Sequence, residues 1–311
     1  MANSVASIER GKLDRGLTFR ERIDPARRIT LLAAGAVIAL VLMLLVFIAF
    51  NGVQIFTASG FSFDAIFNAT WNPDSTTAQS FGILPFIAGT VGVMVVAAII
   101  ATPLSVGLAI FMAEVAPDWA RSVAQPAMEV FVGIPSVVWG WLGITVLVPF
   151  LRDDLHGIGF TLGFSWFAGS IVLSLMILPT ITSITFDVIT SIPAELRSAS
   201  VALGTTRWQT IRHVVIPAGA AGIMTAIVLG MMRAAGEALA VQMVIGNRGV
   251  MPTSLADPMS TLTSEITLDV GNTVAGEPWN QVLWTMGLVL LLMSFGFVLL
   301  VRRLGRRRAL G

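Results

Sequence analysis

The stretch PAELRSASVALGTTRWQTIRHVVIP, residues 193–217, is a polar segment between two long apolar runs. Its first proline suits the first turn of a helix, where the missing N–H costs nothing, and Glu195 follows near the positive end of the helix dipole. Gly204 is placed to end that helix. Thr206 and Gln209 then have the spacing of a capping box, which begins a second short helix. The stretch therefore predicts a helix, a turn and another helix, which we call the docking element.

Each predicted helix of the docking element carries an apolar face with i, i+3, i+7 spacing. These faces consist of Leu196, Ala199 and Leu203 in the first helix and of Trp208, Ile211 and Val215 in the second. Apolar faces on a polar segment need a groove or a membrane surface to cover them. The segment is therefore predicted to dock on another surface.

The docking element resembles the EAA loop of importer-type ABC permeases, through Glu195, Ala199, Gly204 and the pair Ile216-Pro217. In that family the loop is the cytoplasmic coupling helix, and a cleft on the ATP-hydrolysing subunit receives it. The sequence departs from the family pattern at Ser200, where a second small residue is usual, and at Ile216, where Leu is usual. The resemblance implies these ATPase-docking residues: Glu195, Leu196, Ala199, Leu203, Gly204 and Trp208.

The composition indicates a membrane protein, because 55% of the 311 residues are hydrophobic and 12% are charged, against about 25% charged in soluble domains. The sequence has no cysteine, which excludes disulfides and thiol chemistry. Its single lysine, Lys12, follows no Gly-rich turn, so the chain has no P-loop, and its two histidines form no HExxH pair. We expect a transport subunit that is not an enzyme, with any ATP hydrolysed by a partner chain.

Six apolar segments predict six transmembrane helices, each near the roughly 20 residues that cross a bilayer. The predicted regions are an N-terminal tail (1–28), a first transmembrane helix (29–50), an external loop (51–82), a core (83–301) with coupling helices at 193–213, and a basic C-terminal tail (302–311). With both termini inside, 16 of the 19 Lys and Arg residues lie on inner segments. The positive-inside rule therefore places both termini and the docking element in the cytoplasm.

Two predicted spans have unusual features. The third, from about Val123 to Phe150, is interrupted at Gly133–Ser136, and a break at membrane depth needs protein or a water-filled cavity around it; an ordinary proline kink is the alternative. The fifth, from about Val214 to Ile245, carries small residues every fourth position, which lets helices approach closely. These residues are Gly222, Ala226, Gly230, Ala234 and Ala238.

Arg233 and Glu237 are charged residues within the predicted fifth span, one helical turn apart. Each costs roughly 2.5–3.5 kcal/mol in a bilayer on insertion scales. They fit either an internal i, i+4 ion pair or a substrate pathway, in which the guanidinium binds an oxyanion and the carboxylate competes for it. The hydroxyls of Thr90 and Ser136 fit either hydrogen bonds to a phosphate oxygen or bonds to their own backbone.

Three motifs resemble phosphate-specific ABC permeases. Residues 233–240 (RAAGEALA) are similar to RALGETMA, residues 133–140 (GIPSVVWG) to GIPSVVYG, and residues 81–90 to the stretch that opens span two. Ala238 replaces the usual Thr and Trp139 the usual Tyr, which removes two hydroxyls and keeps sulfate or molybdate open as substrates. The predicted substrate-pathway residues are Arg233, Glu237, Ser136 and Thr90.

The resemblance, strongest to the PstC type, implies an all-α, MetI-like permease of the cell inner membrane that imports inorganic phosphate by alternating access. It also implies a second permease of the PstA type, a dimer of PstB-type subunits that uses ATP and Mg²⁺, an external phosphate-binding protein and the phospholipid membrane as partners. We expect no cofactor or metal in this chain, no catalytic residue and no nucleic acid. Two alternatives stay open: an ion-coupled anion transporter in which Glu237 carries a proton, and a membrane sensor.

Overall fold

The computed structural model describes residues 2–57, 59–75 and 79–306. Two units are distinguished, Met1–Asn51 and Gly52–Gly311. The helices are α1 (Ala2–Thr57), α2 (Phe63–Ile66), α3 (Leu84–Ile110), α4 (Asp118–Gly133), α5 (Ser136–Leu142), α6 (Val148–Asp154), α7 (Trp166–Thr190), α8 (Ala194–Ala202), α9 (Arg207–Thr210), α10 (Ile216–Ala235), α11 (Leu239–Ile245), α12 (Leu262–Asp269) and α13 (Pro278–Arg306).

Shorter elements connect these helices. Three π-helical turns, Phe111–Val115, Gly143–Leu147 and Ile211–Val215, continue α3, join α5 to α6, and join α9 to α10. The strands β1 (Trp71–Asn72) and β2 (Ser80–Phe81) pair antiparallel, with Trp71 opposite Phe81.

Six helical stretches among the described residues are long and apolar enough to cross a membrane. They are Arg27–Thr57, Leu84–Val115, Ser136–Asp154, Trp166–Thr190, Arg207–Ala235 and Pro278–Leu300. This number agrees with the six spans expected from the sequence. Each stretch has a mean hydropathy of at least 1.2 in its most apolar window.

The expected third span differs from the structure. Helix α4 ends at Gly133, Ile134 and Pro135 are extended, and α5 begins at Ser136. A proline disfavours helical backbone in the residue before it, which explains why the helix stops here. The candidate span is therefore Ser136–Asp154, and the alternative of a kinked continuous helix is wrong.

Helix α7 lies at the centre of the second unit and packs against both α3 and α10. Small residues allow this close packing, as predicted. Ala97, Ala101 and Ala109 of α3 are fully buried, and a Cβ added to Gly230 of α10 would come within 2.6 Å of Ile181 Cγ1 on α7. Polar groups join the same helices, since Ser105 Oγ donates to the carbonyl of Leu178 at 3.0 Å.

Helix α12 is inserted between α3, α11 and α13. Its first residue, Leu262, donates its backbone N–H to Thr90 Oγ1 on α3 at 2.9 Å. Thr263 Oγ1 donates to the carbonyl of Glu237 at 2.6 Å. The segment between the fifth and sixth candidate spans therefore contains a packed helix, which bonds to Glu237 just past the end of the fifth span.

Candidate functional site

The docking element contains the predicted helix, turn and second helix. Pro193 is the N-cap of α8, and Gly204 ends the turn after it with a φ of +80°, a left-handed conformation that glycine adopts without strain. Thr206 accepts a hydrogen bond from the backbone of Gln209, whose side chain accepts one from the backbone of Thr206. The predicted capping box is confirmed.

The exposed side of the docking element bears an open groove of about 690 Å³, which we call the docking groove. Of the predicted docking residues, Leu196, Ala199, Leu203 and Gly204 line it. Leu203 is 86% exposed and Trp208 62% exposed, although Trp208 does not line the groove. Glu195 is exposed as well. Exposed large apolar side chains on one small surface are typical of an interaction site.

The apolar face predicted for the second helix is wrong. Ile211 is 5% exposed and Val215 is fully buried, whereas Trp208 points to solvent. Residues 211–215 form a π-helical turn, whose wider spacing takes side chains off the i, i+3, i+7 positions of an α-helix. Trp208 is therefore exposed without Ile211 and Val215, so these three residues form no continuous exposed apolar face.

The buried side of the docking element is held by groups that sequence reasoning missed. Ser200, noted above as a departure from the family pattern, is buried and bonds Thr205 Oγ1 at 2.8 Å and Thr210 Oγ1 at 3.0 Å. Arg197 forms an ion pair with Glu114, Nη2 to Oε1 at 2.8 Å. The two residues are 83 positions apart, and no local pattern in the sequence joins them.

Arg233 lies in the last turn of α10 and is half-buried. Its Nη1 donates to Thr180 Oγ1 on α7 at 2.9 Å. The i, i+4 ion pair with Glu237, one of the two alternatives for these residues, is absent from the described residues, because α10 ends at Ala235 and Gly236 caps it. Glu237 Oε1 instead accepts the backbone N–H of Ala240 at 3.2 Å, in the first turn of α11.

Ser136 and Thr90, the two hydroxyl residues of the predicted pathway, lie in different environments. Ser136 is half-buried at the first position of α5, directly after the break. Thr90 is 3% exposed, and its Oγ1 donates to the carbonyl of Phe86 at 2.8 Å while accepting from Leu262. Thr90 therefore bonds to backbone groups, which is one of its two predicted alternatives, and we leave it out of the proposed pathway.

A cavity of about 290 Å³ lies between α4 and α7. Its polar lining groups come from Gln125 and Glu129 on α4 and from Thr182 and Ser183 on α7. Ser183 is one helical turn from Thr180, the partner of Arg233, and residues three apart share a helix face. Glu129 therefore lines a cavity on the side of α7 that Arg233 contacts.

A polar pocket of about 570 Å³ beside α12 contains Asp74, Glu265 and Asp269. Ser260 Oγ donates to Glu265 Oε2 at 2.9 Å, and Trp279 Nε1 donates to Asp269 Oδ2 at 3.2 Å. Burial, and then the negative charge of Asp269, raises the pKa of Glu265 to about 7. Burial also raises the pKa of Asp269. Within the described ranges, no three His, Asp or Glu side chains are grouped so as to hold a metal ion.

Comparison with known proteins identifies the family. The family described as "Binding-protein-dependent transport system inner membrane component" matches residues 105–310, which include both the docking element and Arg233. The chain belongs to this family. It is a permease subunit of an ABC importer, a multi-pass inner-membrane protein that works with a separate ATPase and an external binding protein.

Two kinds of curated relative align along most of the permease. It is 50% identical to "Probable ABC transporter permease protein YqgH" of Bacillus subtilis (strain 168), over 91% of this chain and 90% of that protein. It is 35% identical to "Phosphate transport system permease protein PstC" of Mesorhizobium japonicum, over 86% of each chain. The name of the first relative states no substrate.

Solved structures agree on the fold. A chain of a bacterial ABC transporter involved in the import of alginate aligns with 91% of the permease at a TM-score of 0.61. A chain of the MetNI methionine ABC transporter aligns with 70% of it at a TM-score of 0.51. Both are 18% identical in sequence, so the likeness concerns the fold alone and confirms the expected MetI-like permease architecture.

Proposed function

We propose that this permease carries inorganic phosphate and forms half of the pathway. The observation that carries the proposal concerns Arg233. Its side chain is half-buried, and its guanidinium is bonded to the neutral hydroxyl of Thr180. Glu237 is bonded elsewhere, so the charge of Arg233 is not matched by the carboxylate nearest to it in sequence. The planar donor fork of arginine suits an oxyanion. The PstC relatives, at 33–35% identity, support phosphate as that oxyanion.

In the proposed pathway, Arg233 binds the phosphate and Ser136, at the break between α4 and α5, donates a hydrogen bond to it. Glu237 lies just past the end of α10 and limits how tightly an anion is held, which an importer requires because it must release its cargo. ATP binding closes the partner ATPases, and the docking element transmits that movement. The pathway then alternates between two states with different affinity for phosphate.

The proposal includes the partners, the cofactor and the orientation. The partners are a second permease of the PstA type, a dimer of PstB-type subunits that binds ATP and Mg²⁺, and an external phosphate-binding protein. Both termini of the permease lie in the cytoplasm, which places the docking element on the side of the ATPase. The pocket beside α12 then faces outward.

The test is phosphate uptake by proteoliposomes that contain the complete complex and ATP, with the permease unchanged or carrying Arg233→Ala. Uptake efficiency is expected to fall at least tenfold, since a hydrogen bond to a charged group is worth about 1.5–3 kcal/mol and 1.36 kcal/mol is a factor of ten. Arg152→Ala, at an exposed arginine paired with its neighbour Asp153, is the matched control and is expected to leave uptake unchanged.

Two results would count against the proposal. Equal uptake by the Arg233→Ala and Arg152→Ala complexes would remove Arg233 from the pathway. Uptake of sulfate or molybdate in preference to phosphate would keep the pathway and change the substrate, as the hydroxyls missing at Trp139 and Ala238 allow.

A further inference from the structure

Arg197 lies on the side of α8 that faces away from the docking groove. Its side chain is 25% exposed, whereas Leu196 and Leu203, which line the groove, are 44% and 86% exposed. Arg197 is not among the residues that line the groove. Arg197 is therefore available to the rest of the permease and not to a partner in the groove.

All three guanidinium nitrogens of Arg197 are used in bonds to two other elements. Nε and Nη2 contact Glu114 Oε1 at 2.9 and 2.8 Å. Nη1 donates to the carbonyl of Ile192 at 2.6 Å, and Nη2 to that of Ile189 at 2.8 Å. The carbonyl of Ile189 lies in the last turn of α7 and that of Ile192 just past its end, where backbone oxygens lack partners within the helix and the helix dipole favours a cation.

Glu114 belongs to the π-helical turn that continues α3, and a second arginine bonds to the same turn. Arg121 of α4 donates Nε to the carbonyl of Met112 at 2.9 Å and Nη2 to that of Ala113 at 3.3 Å. Bonds therefore connect α8 through Arg197 to the ends of the second and fourth candidate spans, and through the turn and Arg121 to α4. Helix α4 carries Glu129 and ends at the break before Ser136.

We propose that Arg197 and Glu114 are the positioning pair that couples the docking element to the pathway helices. The pair makes α8 move as one body with the ends of α3 and α7, and it sets how much substrate crosses per ATP hydrolysed. The proposal requires an ABC importer permease but not a particular substrate. Its effect is therefore expected on coupling, and not on binding of the ATPase to the docking groove.

The test uses the complete complex in proteoliposomes and records uptake and ATP hydrolysis together, both per assembled complex. Arg197→Gln, which keeps a hydrogen-bonding side chain without the charge or the fork, is expected to lower the ratio of substrate carried to ATP hydrolysed at least tenfold. Arg197→Lys, which keeps the charge, is expected to recover part of the ratio. Arg212→Gln changes an exposed arginine of the same element and is expected to leave the ratio unchanged.

Glu114→Gln gives an independent test, because Glu114 lies outside the docking element. Glu114→Gln is expected to lower the ratio of substrate carried to ATP hydrolysed, as Arg197→Gln does. The ratio of the double variant is expected to be no lower than that of the more affected single variant, because the two residues act through one contact. An unchanged ratio in both single variants, with or without reduced assembly, would overturn the proposal. Failure of the unaltered complex to carry phosphate would instead count against the proposed substrate.

Discussion

Glu265 makes the segment between the fifth and sixth candidate spans sensitive to pH. It lies on α12 with 6% exposure, and burial, followed by the charge of Asp269, raises its pKa from 4.5 to about 7. A carboxyl whose pKa is higher in the folded state keeps its proton after the unfolded chain has lost it. Its stabilising effect is therefore complete below about pH 4.5 and is lost as the pH rises to about 7.

The size of this pH effect on the stability of α12 follows from the same pKa. One pKa unit is worth 1.36 kcal/mol, so opening α12 is expected to become easier by up to about 3 kcal/mol between pH 4.5 and pH 8. Asp269, whose pKa is also raised, acts in the same direction. Glu265→Gln mimics the protonated side chain and is expected to remove most of the dependence. An exposed residue of the same segment, Glu277, provides the control Glu277→Gln.

The assay is hydrogen exchange of residues 262–269 in the purified permease, measured from pH 5 to 8 and corrected for intrinsic exchange rates. The unaltered permease and Glu277→Gln are expected to lose protection as the pH rises, while Glu265→Gln stays nearly constant. The reasoning is refuted if protection in the unaltered permease is flat over this range, or if Glu265→Gln shows the same slope.

Two further predictions concern packing and docking. Gly230→Ala brings a Cβ within 2.6 Å of Ile181 and is expected to destabilise the permease by about 1–3 kcal/mol, seen as a lower Tm in detergent. Gly287→Ala is the control, because nothing lies within 4 Å of a Cβ added there, and it is expected to leave the Tm unchanged or to raise it. Equal Tm values for Gly230→Ala and Gly287→Ala would contradict the close contact of α10 with α7. Leu203→Glu puts a charge on the docking groove and is expected to reduce copurification of the ATPase at least tenfold without changing the Tm. The exposed Ser198→Glu is its control, and equal copurification with both variants would show that the groove is not the docking surface.

Local signals made the docking element predictable. The capping box at Thr206 and Gln209 and the glycine at 204 act within a few residues, so the sequence contains all that decides them. Gly230 was predictable for a related reason, since four-residue spacing of small side chains has little use except close helix packing. The burial of Ile211 and Val215 was missed, because the π-helical turn takes them off the i, i+3, i+7 positions of an α-helix.

The rest of the site depends on contacts between distant residues. The separation of Arg233 from Glu237 follows from the end of α10 at Ala235, while a continuous apolar run suggested a longer helix. Arg197 and Glu114 meet only because α3 and α7 end side by side. No local pattern in the sequence links the two residues, so their charges could be read from the sequence but their pairing could not.

The central claim is that this permease imports phosphate with energy from ATP. The most direct test is uptake of labelled phosphate by proteoliposomes that contain the permease, its second permease, the ATPase and the phosphate-binding protein. Uptake is expected to require ATP on the side of the ATPase, to persist when any proton gradient is collapsed, and to be unaffected by excess sulfate. Uptake that proceeds without ATP and follows an imposed proton gradient would contradict the account.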